Sequence, residues 1–375
     1  MEKLNVLVTG GAGFIGSHIV DALVERGHRV RVLDALVPQV HGEAGVPQYL
    51  NPAAEFVRAD VCDAEAVGRA LEGIDVVYHK AAEVGVGQSM YEIRRYVGAN
   101  DLGTAVLLEA LVNKRGRVRK LVVASSMSIY GEGAYACGGC GASVNPKVRP
   151  GSQLRERRWE VLCPRCGGEL KPVPTGEEKP LFPTSVYAVT KQDQEQFCLV
   201  VGRAYDIPVV ALRYFNVYGT RQALSNPYTG VCAIFSSRLL NNQAPAIFED
   251  GEQTRDFVHV SDIVRANLLA LETDRADYEA VNVGTGRPIS ILEVSRMLAE
   301  GLGKDIRAEV TGKYREGDIR HCVADITRAR ALLGYEPQVT LEEGIPELLR
   351  WVREQEAADR VAHATAELES RQLVR

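Results

Sequence analysis

Gly10-Gly11-Ala12-Gly13-Phe14-Ile15-Gly16 follows a short apolar run at residues 4–8. It opens a segment, residues 14–25, in which Ile15, Ile19 and Leu23 recur at helical spacing. Residues 29–33 then alternate around valines and end at Asp34, 18 residues after Gly16. The order strand, glycine turn, helix, strand is a βαβ unit. Glycines at 10, 13 and 16 permit a tight turn, close approach of a pyrophosphate and close packing of helix on strand. The helix then presents free N–H groups and a partial positive charge to the phosphates. A carboxylate at Asp34 accepts hydrogen bonds from a ribose and repels a 2′-phosphate, so NAD is expected rather than NADP. Asp60, after Phe56-Val57, is a candidate partner for the adenine.

Apolar runs recur at residues 74–78, 120–124 and 209–212, with helical stretches such as 103–111 and 187–205 between them. That alternation implies an α/β fold with a Rossmann-type, doubly wound parallel sheet. The expected organisation is a dinucleotide domain at residues 1–131, continued by 182–219 and 254–284. Residues 220–253 and 285–354 form a smaller α/β substrate lobe, and 355–375 a charged, Ala-rich polar tail that is a solvated helix or frays. Residues 132–181 break the pattern: they are polar and rich in Gly, Pro and Arg.

The 375 residues include 44 basic and 49 acidic side chains, a net −5, which gives no electrostatic case for nucleic acid. The apolar run after Met1 is too short for a signal peptide, and no 18-residue apolar stretch supports a spanning helix, so a cytosolic protein with no membrane partner is expected. Of the eight cysteines, Cys62, Cys198, Cys232 and Cys322 read as small buried hydrophobes. The others form two C-x-x-C pairs, Cys137/Cys140 and Cys163/Cys166, with 22 residues between them. Each pair is followed by glycine and can form a knuckle whose amides turn toward the sulfurs. Four thiolates suit a structural zinc ion with no open coordination position, so residues 132–181 read as an inserted zinc ribbon.

Tyr187-Ala188-Val189-Thr190-Lys191 puts a phenol and an ammonium on one helix face. Ser125-Ser126 follows the 120–124 run, at a strand's carboxyl end, where doubly wound sheets bind ligands. A phenol ordinarily titrates at about 10. One ammonium at about 4 Å, in an effective dielectric near 20, contributes roughly 4 kcal/mol. Desolvation opposes this. The pair is therefore expected to poise Tyr187 toward neutrality, as base for a sugar hydroxyl and acid for a ketone.

These residues resemble those of the extended short-chain dehydrogenase/reductase family, the NAD-dependent nucleotide-sugar epimerases and dehydratases. The resemblance rests on the 10–16 cradle, His79-Lys80-Ala81-Ala82, residues 125–131, Tyr187/Lys191, residues 213–216, 255–260 and 315–318, and covers all but the insert and tail. It implies that Phe14, Ile15, Asp34, Asp60 and Val61 contact the adenosine half of NAD. Ala81, Ala82, Asn100 and Phe215 would lie along the nicotinamide half. By the same resemblance Ser126 binds the substrate oxygen, Tyr187 moves the proton and Lys191 holds the ribose and tunes Tyr187. Asn216, Arg255 and Arg315 would hold the diphosphate of a nucleotide-diphosphate sugar, and a homodimer is implied.

Related dehydratases and decarboxylases carry a carboxylate just after the catalytic Ser/Thr; here Met127 and Ser128 stand there, which disfavours dehydration. The insert widens the spacing from Ser126 to Tyr187 to 61 residues and so emerges beside the site. Residues 38–41, 84–92, 247–251 and 312–322 resemble the dTDP-L-rhamnose 4-epimerase branch. The implied reaction removes the C4 hydroxyl proton and C4 hydride, turns the 4-keto sugar over, and returns the hydride to its other face. The alternatives are a 4-ketoreductase of a deoxysugar nucleotide, an epimerase of a UDP-sugar, and a non-catalytic NAD-binding sensor.

Overall fold

The computed structural model describes residues 2–43, 45–113 and 118–375. Seven parallel strands form the central sheet, in the order Glu279–Val283, Val209–Tyr214, Lys120–Ser126, Val76–His79, Asn5–Thr9, Arg29–Asp34, Glu55–Arg58. Chain order reverses between Asn5–Thr9 and Val76–His79, the point beyond whose carboxyl ends doubly wound sheets bind ligands. The strands are apolar on both faces because both are covered. Val6, Val8, Val76, Val122 and Leu212 face the helices Phe14–Glu25 and Val260–Glu272. Leu7, Val77, Leu121, Val123 and Ala211 face Gly103–Asn113 and Val186–Ala204.

A second core lies in the smaller lobe, where Phe235, Leu239, Val294, Leu298, Ile345 and Leu348 pack together. Two of the expected boundaries move. Strand Thr254–His259 is outside the large sheet; it pairs with Asn216–Tyr218, Pro288–Ser290 and His321–Cys322. Conversely, Cys322, Ala324, Ile326, Ala329, Leu333 and Tyr335 join the core of the large sheet rather than that of the lobe.

Residues 132–181 carry a three-stranded antiparallel sheet, ordered Ser143–Val144, Ala134–Cys137, Leu170–Val173, with its own small core of Tyr135, Val161 and Leu170. The insert is bonded to the lobe through buried charge. Arg149 forms a fork with Glu249 at 2.6 and 3.0 Å, and Arg320 reaches Glu160, Asp250 and Glu249.

The tail differs most from expectation. Residues 361–370 form the helix Val361–Ser370, and Ala364, Leu368 and Val374 are buried. Charge dominates the composition of 355–375, which hides this thin apolar stripe. Among the other cysteines Cys198, Cys232 and Cys322 are buried, but Cys62 is half-buried and its thiol donates to the Gly98 carbonyl at 3.2 Å. Among the described residues no helix is long and apolar enough to cross a membrane.

Candidate active site

The glycine turn is fixed by space. Gly10 has φ +67°, and a Cβ on it would lie 2.6 Å from the Ala81 nitrogen; one on Gly16 would lie 2.1 Å from the Gly10 carbonyl oxygen. Gly13 is the N-cap of Phe14–Glu25 and supplies no side-chain cap. The first-turn amides, including those of Phe14 and Ile15, therefore stay open to an anion. This bare cradle fits a dinucleotide pyrophosphate. Asp34 does more than was read from sequence: Oδ2 accepts the Ala12 N–H at 3.0 Å and Oδ1 the Leu36 N–H at 2.9 Å. It thus ties the glycine turn to the second strand, and each oxygen keeps a lone pair for a ribose hydroxyl. Tyr49, which no motif marked, donates to the Ala12 carbonyl at 2.9 Å. Asp60 is exposed and caps the Cys62 N–H at 2.9 Å, beside buried Val61.

Ser185 starts the helix Val186–Ala204 by accepting the Ala188 N–H at 3.1 Å. That start sets Tyr187 in the first turn and Lys191 one turn on. Lys191 is buried, and its Nζ donates to the Ala124 carbonyl and, at 2.7 Å, to Gln194 Oε1. Burial brings its pKa down to about 8. Burial also pushes the Tyr187 phenol above its ordinary value, with a Ser126 hydrogen bond working against the rise. The expectation that Lys191 poises Tyr187 toward neutrality is therefore corrected for the polypeptide's own groups. Burial is the larger cause at Tyr187 and Ser126 the one that opposes it, while the two Lys191 hydrogen bonds go to Ala124 and Gln194. Ser126 caps the short turn Met127–Tyr130, where its Oγ receives the Ser128 N–H at 3.1 Å and Ser128 Oγ at 2.9 Å.

Beneath this surface lies a buried network that the sequence did not announce. Ser125 Oγ donates to Glu195 Oε2 at 2.6 Å, and Glu195 receives a fork from Arg213 at 2.6 and 2.9 Å. Arg213 continues to Tyr130 Oη at 2.8 Å. His79 is clamped between Thr9 and Thr104 at 2.8 and 2.9 Å, and burial lowers its pKa to about 3, so it is neutral. Helical spacing was the available signal: Gln194 and Glu195 lie one turn beyond Lys191, on the buried side.

Ala81 and Ala82 lie half-buried beside the cradle. Asn100 sits in the π-turn Val97–Leu102 with its amide committed to Glu83 N and O and to Thr190 Oγ1, at 2.7 to 3.1 Å. Its side chain staples the loop after Ala82 to the Tyr187 helix. Phe215 is buried, tilted against Tyr130. Among the described residues Asn216 Oδ1 is buried without a partner, open to a donor. Arg255, expected on a diphosphate, donates from Nη1 and Nη2 to the carbonyls of Thr254, Ile319 and Arg320 at 2.7 to 3.0 Å, because its strand lies against residues 319–322. Arg315 holds Asp318 Oδ1 through Nε and Nη2 at 3.0 and 2.8 Å, which leaves Nη1 toward Gly87.

The four C-x-x-C sulfurs lie within 4.8 Å of one another, with Cys137–Cys166 at 3.4 Å and Cys140–Cys163 at 3.7 Å. The backbone N–H of Cys140 is the main cause that lowers the Cys137 thiol to about 6, and that of Arg165 lowers Cys163.

Residues 6–147 match the model of the NAD dependent epimerase/dehydratase family. Residues 166–348 match that of GDP-mannose 4,6 dehydratase. A dTDP-L-rhamnose 4-epimerase of Burkholderia thailandensis is 38% identical over 95% of this chain and 96% of its own. The chain belongs to the NAD-dependent epimerase/dehydratase family. As a member it is an NAD-dependent enzyme of nucleotide-sugar chemistry. Two family structures superpose over its length. The UDP-glucose 4-epimerase of Thermotoga maritima with UDP-glucose has a TM-score of 0.74 and 34% identity, covering 94% of this chain and 99% of that one. The UDP-glucuronic acid 4-epimerase of Bacillus cereus, in complex with UDP-glucuronic acid and NAD, has a TM-score of 0.76 and 30% identity, with the same coverage.

Proposed function

We propose that this chain is a nucleotide-sugar 4-epimerase that interconverts dTDP-L-rhamnose and dTDP-6-deoxy-L-talose. One observation carries the reading of the reaction: Tyr187, Lys191 and Ser126 converge at the carboxyl end of the sheet, and residues 127 and 128 offer no carboxylate to expel water. NAD, when bound, supplies a hydride acceptor that returns the same hydride. The 10–16 turn with Phe14, Ile15, Asp34, Asp60 and Val61 holds its adenosine half. Ala81, Ala82, Phe215, Tyr187 and Lys191 line the other half, with Asn100 positioning that wall.

Tyr187 Oη takes the proton of the C4 hydroxyl and later gives it back, while Ser126 Oγ holds the same oxygen. Lys191 is charged below a pH of about 8 and, together with the positive charge of bound oxidised NAD, would offset the burial that raises the Tyr187 phenol. Asn216 and Arg315 bind the diphosphate; Arg315 offers its Nη1 edge, which has no hydrogen-bond partner among the described residues. Asp34 supports NAD over NADP and hence cofactor-neutral turnover over stoichiometric reduction.

Similarity to the Burkholderia enzyme supports the rhamnose nucleotide. A UDP-sugar is the second reading, supported by the Thermotoga enzyme. Incubation with a panel of dTDP- and UDP-sugars, followed by NMR, tests both. A second sugar nucleotide forming from dTDP-L-rhamnose supports the first, and one forming from UDP-sugars alone overturns it.

We also propose that Cys137, Cys140, Cys163 and Cys166 hold zinc. A tetrahedron with bonds of about 2.3 Å has sulfur–sulfur edges of about 3.8 Å, near the two separations given above. The ion would be structural and take no part in the sugar chemistry. A homodimer is proposed on family resemblance.

A further inference from the structure

The loop that carries Arg315 is gripped from two sides. On one side is the insert: Trp159 lies 6.4 Å from the Tyr314 ring, and the Arg157 guanidinium lies 3.5 Å from where a Gly312 Cβ would be. On the other side is the chain's last segment. The Tyr314 N–H donates to the Arg375 carbonyl at 2.8 Å, the Arg375 N–H to the Tyr314 carbonyl at 3.0 Å, and the Glu316 N–H to the Leu373 carbonyl at 3.0 Å. Arg315 thus pairs antiparallel with Val374, and Lys313 bridges to Glu369 at 2.6 Å.

The same segment reaches across to the turn at residues 85–91. Leu368 lies 3.3 Å from where a Gly87 Cβ would be, and Arg315 Nη1 lies 3.5 Å from that point. Glu367 Oε2 accepts from Tyr91 Oη at 3.2 Å and from Tyr228 Oη at 3.4 Å, while the two hydroxyls meet at 2.6 Å. Arg371 stacks over the Tyr91 ring at 4.3 Å. The tail therefore fixes both walls between which the free edge of Arg315 projects.

We propose that Glu367, Leu368 and residues 373–375 are positioning residues for the nucleotide sugar: they hold Arg315 and the 85–91 turn at the spacing a nucleoside diphosphate needs. This rests on the assignment of Arg315 to the diphosphate under the proposed function. The backbone pairing fixes where the guanidinium starts, Leu368 fixes how far the turn stands from it, and Glu367 locks Tyr91 to Tyr228. The contacts given above join these groups to the 312–316 loop, the 85–91 turn and Tyr228, so their loss should weaken the substrate and spare the dinucleotide.

The test uses the NAD-loaded full chain, a variant lacking residues 371–375, and the full-length variants Leu368→Ser and Glu367→Gln. Calorimetric titration with dTDP and with UDP, steady-state kinetics, bound NAD and melting temperature are measured on each. The truncation and Leu368→Ser are expected to weaken nucleoside diphosphate binding and raise KM by about tenfold or more. Glu367→Gln, which keeps the shape, has a smaller effect of the same sign and leaves the melting temperature at its wild-type value; in all three variants NAD content stays at the wild-type value, and kcat falls less than KM rises. Unchanged Kd and KM in all three variants overturn the proposal. Parallel loss of NAD and melting temperature also overturns it, since the tail would then only hold the fold. A wild-type chain that binds neither dTDP nor UDP overturns the diphosphate assignment itself, and the tail's role with it.

Discussion

Lys191 Nζ donates to the carbonyl of Ala124, the residue just before Ser125-Ser126, so the helix that carries Tyr187 is pinned to the strand that carries its serine. The pin costs the lysine solvation, and burial holds its pKa at about 8. A lysine is charged below its pKa, so the ammonium that supports the Tyr187 phenolate is present at lower pH and lost as pH rises through about 8. Activity should therefore fall on the alkaline side near that pH, and Lys191→Arg should move the fall upward. A pH–rate profile of kcat checks this; an alkaline limb that Lys191→Arg leaves in place would remove Lys191 from the step.

Tyr187→Phe keeps the ring, which packs edge-on against Tyr96 at 6.4 Å, and deletes only the hydroxyl. It should retain NAD and the fold while kcat drops by about 10²- to 10⁴-fold. Absorbance of the bound dinucleotide alongside turnover checks the split. Near-normal turnover would show that another group carries the proton.

Glu195 and Arg213 form a buried fork under the site. Glu195→Gln removes the charge that compensates the buried guanidinium and turns one of its two acceptor oxygens into a donor amide, in a place water does not reach. The expected cost is about 3 kcal/mol of stability, read as a lower denaturant midpoint with unchanged slope. A loss below about 1 kcal/mol would mean that the network relaxes around the change.

Glu160 joins the insert to Arg320 and His321, and the His321 hydrogen bond is the main cause holding its carboxyl down at about 2. Its folded pKa lies below its ordinary value of 4.5. The stability it contributes is therefore present above about pH 4.5 and lost as pH falls toward 2. Glu160→Gln should flatten the acid slope of stability in that window. An unchanged slope would place the acid sensitivity elsewhere.

Chelation should release about one zinc per chain and loosen residues 132–181, whose own apolar core is small. Hydrogen exchange of the insert, with and without chelator, reads this. Full protection in metal-free protein would refute the zinc site.

The strand–glycine–helix order was legible because each part is local: spacing fixes the helix, and Gly10 and Gly16 stand where no Cβ fits. Tyr187 and Lys191 were legible for the same reason, one helical turn apart. What escaped was set by distant partners. Arg255 has a family motif around it, yet three of its five N–H donors go to carbonyls, two of them 64 and 65 residues away in sequence. The tail looked solvated because three buried side chains are diluted among charges, and what they dock against, the 312–316 loop and the 85–91 turn, is distant in sequence. The effect of Lys191 on Tyr187 was overestimated because spacing reveals neither how deeply the phenol is buried nor that the ammonium donates to Ala124 and Gln194.

The proposed reaction removes a C4 hydrogen from a nucleotide sugar and returns it to the same carbon without an external reductant. The most direct measurement incubates C4-deuterated dTDP-L-rhamnose, and separately C4-deuterated UDP-glucose, with purified enzyme in ordinary water and no added cofactor, followed by NMR. The expected result is a second sugar nucleotide with deuterium still on C4. Turnover of neither sugar, or an epimer whose C4 deuterium has been lost to solvent, would contradict the account.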